Sequence, residues 1–84
     1  MGRPQTRVSV PEGLLTEIRG VFTISTVAYS QLRLQEIVAP ATFYRAWTGK
    51  VVSPRVVRAI EDGWEAFVRR MVERYREEAP ETSA

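Results

Sequence analysis

Val38-Ala39-Pro40-Ala41-Thr42-Phe43-Tyr44-Arg45-Ala46-Trp47-Thr48-Gly49-Lys50 carries the punctuation of one short helix with two unlike sides. Pro40 suits a first helical turn, where a backbone N–H has no intrahelical partner to lose. Phe43, Ala46 and Trp47 recur at helical spacing and are expected to face a core. Ala41, Thr42, Tyr44, Arg45 and Thr48 fall on or beside the other side, which mixes small residues, hydroxyls and a guanidinium. Gly49 can end the helix in the left-handed conformation, and Lys50 follows at the negative end of the helix dipole. A helix with such an outer side can slide into a DNA major groove and reach base edges and phosphates.

The segments on either side extend the helical pattern. Ser53 and Pro54 are a favourable cap and first residue for a further helix, and Val52 and Val57 sit where a hydrophobic staple closes. Val57, Ile60, Trp64, Phe67 and Met71 then recur at alternating three- and four-residue steps, with Val56, Val68, Val72 and Tyr75 widening the stripe. Gly63 interrupts it at a cost of about 1 kcal/mol against Ala unless close packing needs the missing side chain. Arg69–Glu73 and Arg74–Glu78 have the spacing of weakly stabilising ion pairs. Pro80 stops the helix, leaving 80–84 as a disordered tail. A helix over 54–78 would be about 37 Å long, more than a small bundle covers. The stripe from Trp64 onward therefore predicts a homodimer, with Trp64, Phe67, Val68, Met71, Val72 and Tyr75 as the dimerisation residues.

Upstream, Pro11-Glu12 opens a first helix, and Leu14, Leu15, Ile18, Val21 and Phe22 form its apolar stripe. Gly20 weakens its end, and Thr23 or Ser25 can cap the next helix, whose apolar set is Ile24, Val27, Ala28 and Leu32. Leu34, Ile37 and Val38 make a further group before Pro40; the pattern over 25–38 fits either one helix or two short ones. Residues 1–10 read as a flexible basic arm. Within it Arg7-Val8-Ser9-Val10 fits a short strand or an extended lead-in, and Arg3 and Arg7 suit a phosphate strand. The expected architecture is all-α: a four- or five-helix bundle with a long C-terminal helix, one domain over 11–79.

"VAPATFYRAWTGK" followed by "VSPRVVRAI" resembles the recognition helix, loop and next helix of the Cro/repressor-like (lambda-repressor-like) helix-turn-helix DNA-binding family. The resemblance covers roughly residues 24–62. In that family a small residue stands five positions before the turn valine and a glycine just before it. Here those positions hold Arg33 and Ile37, and the small-residue candidate Ala28 lies about five residues too early. Either the turn is longer than the standard one or the first helix of the motif lies elsewhere. The resemblance implies a helix-turn-helix that reads double-stranded DNA through the helix 40–48.

Composition agrees with that direction. The 84 residues make one small domain with a limited core. There is no cysteine and no histidine, so disulfides, cysteine-based metal sites and the commonest general base are excluded. The one acidic cluster, Glu61, Asp62 and Glu65, has no loop to complete a metal site and reads as a wet helix face. Neither a cofactor nor a metal is expected, and the chain reads as a non-enzyme. No apolar run approaches the roughly 18 residues of a membrane span, and the first ten residues lack the apolar core of a signal peptide. A cytoplasmic protein is the default expectation.

Net charge is only +2, but between residues 33 and 58 five basic groups (Arg33, Arg45, Lys50, Arg55, Arg58) stand against Glu36 alone. A phosphate backbone favours that layout. The expected function is a sequence-specific, double-stranded DNA-binding regulator, a small phage or bacterial repressor. Ala41, Thr42, Tyr44, Arg45, Thr48, Lys50, Arg55 and Arg33 are its DNA-contacting candidates. Arg45 suits bidentate contact with guanine or a grip on phosphate. Lys50 and Arg55 suit phosphates. One alternative is a helical protein-interaction module that binds a larger partner through the last helix. A weaker one rests on "TRVSVPEGLLTEI", which resembles the strand and first helix of ribbon-helix-helix repressors and would make Arg7 and Ser9 the readers.

Overall fold

The computed structural model describes residues 6–78. Four helices make up 68% of them, and no strand is named among them. They are α1 (Glu12–Val21), α2 (Ser25–Gln31), α3 (Pro40–Trp47) and α4 (Pro54–Glu78). The proposed tail 80–84 and the first five residues of the arm lie outside the described residues.

One apolar core joins all four helices. Leu15 and Ile18 of α1, Ala28 of α2, Phe43 and Ala46 of α3, and Val57, Ile60 and Phe67 of α4 are buried in it, with Phe22, Leu32, Leu34, Val38 and Val52 from the connections. No polar or charged residue is buried among the described residues. The inner stripes of α1 and α2 are narrower than expected, because Val21, Ile24 and Val27 are exposed; Ile37, before α3, is exposed too. α1 and α2, of 10 and 7 residues, are too short to turn more than one narrow face inward.

The ends of α2 and α3 are built alike. At the end of α3 the Gly49 amide donates to the Ala46 carbonyl at 3.0 Å and the Lys50 amide to the Arg45 carbonyl at 2.9 Å. This is a Schellman motif with Gly49 at φ 85°, as its position predicts. At the end of α2 the Arg33 amide donates to Ser30 at 3.0 Å and the Leu34 amide to Tyr29 at 3.2 Å. The same motif therefore forms with Arg33, at φ 57°, in the left-handed position that glycine or asparagine normally takes. That stop resolves 25–38 into one short helix and an eight-residue connection, 32–39. A standard helix-turn-helix uses only three or four residues there. No side chain caps α2: Ile24 holds the N-cap position, not Thr23 or Ser25.

α4 runs over the expected residues, Pro54–Glu78. Its glycine is explained by packing. A Cβ on Gly63 would lie 3.0 Å from the Leu32 carbonyl oxygen and 3.4 Å from Leu34 Cδ2. α4 thus presses on the end of α2 at its one position without a side chain. Arg70 closes the same contact, donating to the Gln31 carbonyl at 2.9 Å.

Two expectations for α4 need correction. Phe67 is not a dimerisation residue: it is 9% exposed and packs edge-on against Phe22, centroids 5.0 Å apart. It belongs to the core because the bundle reaches as far as Phe67 before α4 runs free. Trp64 is half-buried, and its Nε1 donates to Glu17 Oε1 at 3.1 Å. Arg69 pairs with Glu65 at 3.1 Å rather than with Glu73, while Arg74–Glu78 approach to 3.9 Å. All of these are exposed helix pairs of small energetic weight.

The arm also differs from its expected state. Val8 and Val52 exchange both backbone hydrogen bonds, each 2.8 Å long, in one isolated antiparallel bridge. Val8 is half-buried and Val10 is 3% exposed. Residues 8–10 are therefore pinned to the body, because burying two valines and pairing two amides outweighs the freedom of a short terminal segment. The alternation of extended chain then leaves Arg7 and Ser9 on the wet side, and both are exposed.

Candidate nucleic-acid interface

α3 is held from three directions. Phe43 and Ala46 are buried, and the Phe43 ring lies 5.4 Å from Tyr29 of α2 and 6.0 Å from Trp47. The Tyr29 hydroxyl donates to the Val38 carbonyl, fixing the approach to Pro40. From α1, Arg19 donates to the Trp47 carbonyl and sets its guanidinium 5.8 Å from the Trp47 ring centroid. A cation at the negative end of α3 satisfies one orphan carbonyl and complements the helix dipole.

The opposite side of α3 is wet. Ala41, Tyr44, Arg45 and Thr48 are exposed, as are Gly49 and Lys50 beyond it; Thr42 is half-buried. The Thr48 hydroxyl donates back to the Arg45 carbonyl at 3.0 Å. Among the described residues no acidic side chain forms an ion pair with Arg45, Lys50 or Arg55.

Five of the eight candidates are divided among four hollows. Thr42 and Arg45 line a hollow together with Arg7, Val52, Ser53 and Val56. Tyr44 lines a separate crevice between α2 and α3 with Ser25, Thr26, Tyr29, Pro40 and Phe43. Arg55 lines a third hollow with Arg58, Asp62 and the 32–37 connection. Arg33, at the end of α2, shares a hollow with Arg70 and Arg74 of α4. Arg33 and Arg55 are near α3 in sequence, but each lines a hollow different from that of Arg45. Arg7 and Ser53 join the Arg45 group through the Val8–Val52 bridge. The alternation Arg7-Val8-Ser9-Val10 was the only hint of it in the sequence.

The ribbon-helix-helix expectation needs residues 7–10 to pair with a second copy; here the backbone groups of Val8 pair with Val52 of the same chain.

A second surface lies between α1 and the free half of α4. Leu14, Trp64, Val68 and Val72 form an apolar groove edged by Glu17, Glu61, Glu65, Glu73, Arg69 and Arg76. Met71 and Tyr75 continue the exposed apolar side of α4. Among the described residues no group of three or more acidic side chains could hold a metal ion, and no helix is long and apolar enough to cross a membrane.

No protein-family model, curated protein or solved structure matches this chain.

Proposed function

We propose that this chain is a sequence-specific, double-stranded DNA-binding regulator of phage or bacterial repressor type, non-catalytic, that reads the major groove with α3. The observation that carries the proposal is the wet side of α3. A rigidly packed helix presents Tyr44, Arg45 and Thr48 outward, and no acidic partner ties up the guanidinium among the described residues. α2 and α3 would then act as a helix-turn-helix with an extended connection. Arg45 reads a base edge, and Thr42, Lys50 and Arg7 lie beside the backbone.

Binding sites selected from a random duplex pool supply the probe. Arg45→Ala is expected to weaken the selected site by roughly 1–3 kcal/mol and to relax preference at one base position. Lys50→Ala should lower affinity evenly across sequences and flatten the salt dependence. If both variants keep the affinity and salt slope of the parent, the reading is wrong.

The exposed stripe of α4 favours a homodimer. Light scattering should give twice the 9.6 kDa chain mass for the parent, and the chain mass, with helical circular dichroism intact, for Val68→Glu/Val72→Glu. A parent that stays at the mass of one chain at every concentration removes the dimer. The same stripe supports the second reading, a module that docks on a larger protein. Weak duplex binding without salt dependence would favour that reading over DNA recognition.

A further inference from the structure

The Val8–Val52 bridge has a chemical consequence for the hollow beside it. Val8 turns inward and Arg7 outward, so the bridge sets Arg7 at the rim of the space between α3 and the start of α4. Two guanidiniums, Arg7 and Arg45, and two hydroxyl residues, Thr42 and Ser53, line that space. Val52 and Val56 line it as well, and among the described residues no acidic side chain does. Two like charges that share a hollow repel each other, and among the described residues neither arginine has a salt-bridge partner to relieve this. An anion supplied from outside would relieve it. Guanidiniums offer planar forks that match tetrahedral oxyanions, and hydroxyls can donate to the remaining oxygens.

We propose that Arg7, Thr42, Arg45 and Ser53 form a phosphate-binding site, and that its occupant in the DNA complex is one backbone phosphodiester. The second clause rests on the DNA reading above; the first does not. Arg7 then works as a clamp delivered by the arm. Arg45 lies both on the wet side of α3 and in this hollow, so it serves the base edge and the phosphate together, whereas Arg7 serves the phosphate alone. The bridge matters because an untethered arginine would lose side-chain and backbone freedom on binding, whereas here the backbone share is already fixed.

Two measurements test this. In the first, inorganic phosphate, with sulfate as a second probe, is titrated into the isotope-labelled full chain. Saturable amide and guanidinium shifts are expected at Arg7, Thr42, Arg45 and Ser53, and Arg7→Ala should abolish saturation at the other three. If those signals do not move, or move no more than those of exposed Arg58, the site is overturned whatever the chain does with DNA. In the second, duplex affinity is followed across a salt series. Arg7→Ala should lower the steepness of log K against log salt by about one and leave base preference as in the parent. Arg7→Lys, a point charge of the same sign, should restore most of the slope. Val8→Pro keeps every charge but removes the Val8 donor, and should behave like Arg7→Ala if its helix content is unchanged. A steep parent slope that Arg7→Ala leaves intact overturns the phosphodiester assignment while DNA recognition stands. Phosphate shifts at the four residues in a chain that binds no duplex overturn DNA recognition and leave the phosphate site.

Discussion

Phe67→Ala is expected to destabilise the folded chain by about 3–5 kcal/mol, the cost of emptying an aromatic position in a packed core. The ring stacks on Trp64 at 5.6 Å, meets Phe22 edge-on at 5.0 Å and carries the Arg70 guanidinium 5.9 Å from its centroid. Its loss leaves a void between Trp64 and Phe22 that their rings, with few rotatable bonds, fill poorly. A domain of this size has only about 5–15 kcal/mol to lose, at the low end for a short chain, so the variant should be close to unfolding at ambient temperature. Urea denaturation at several protein concentrations measures the effect. The loss should persist at the same size in the Val68→Glu/Val72→Glu background, where an interface contribution is gone. If it vanishes in that background, Phe67 acts between copies and the core assignment fails.

Gly63→Leu is expected to cost about 1–3 kcal/mol or more by overpacking. The new Cβ alone would sit 3.0 Å from a backbone carbonyl oxygen, that of Leu32, at the contact between α4 and the end of α2. Gly63→Ala is the informative companion. It gains up to about 1 kcal/mol of helix propensity but forces a shift of a few tenths of an ångström against backbone, so the two effects should nearly cancel. Thermal denaturation of the pair checks both statements. A Gly63→Leu chain as stable as the parent would mean that α4 and α2 are not in contact there. The contact bears on function too. It braces the connection that leads to α3, and so the angle at which Arg45 is presented.

The elements whose ends carry special residues were legible in the sequence. Pro40 and Gly49 bracket α3, and Ser53-Pro54 starts α4, because proline and glycine each announce a backbone conformation. The end of α2 was hidden for the converse reason: Arg33 takes a left-handed conformation that its side chain does not advertise. Periodicity showed that one side of α4 is apolar, but not where the bundle beneath it ends. Phe67 and Val68 look alike in such a pattern, yet one is core and the other is surface. Chain proximity misled in the site as well. Arg33 and Arg55 flank α3 in sequence and line other hollows, while Arg7 reaches the hollow of Arg45 across the fold. Pairing between residues as distant as Val8 and Val52 depends on how helices pack, and no local pattern encodes it.

The Val8–Val52 pairing also turns most of the chain into a closed loop, with α1, α2 and α3 inside it and α4 outside. The entropy of closing a loop rises only with the logarithm of its length. Extra residues spliced into the exposed 35–37 stretch of the connection, between the core residues Leu34 and Val38, therefore burden closure very little. Trimming the chain past Val8 severs the loop altogether and uncovers Val52. In engineering terms the molecule is more forgiving of insertion in its middle than of shortening at its start, and a fused domain belongs beyond α4.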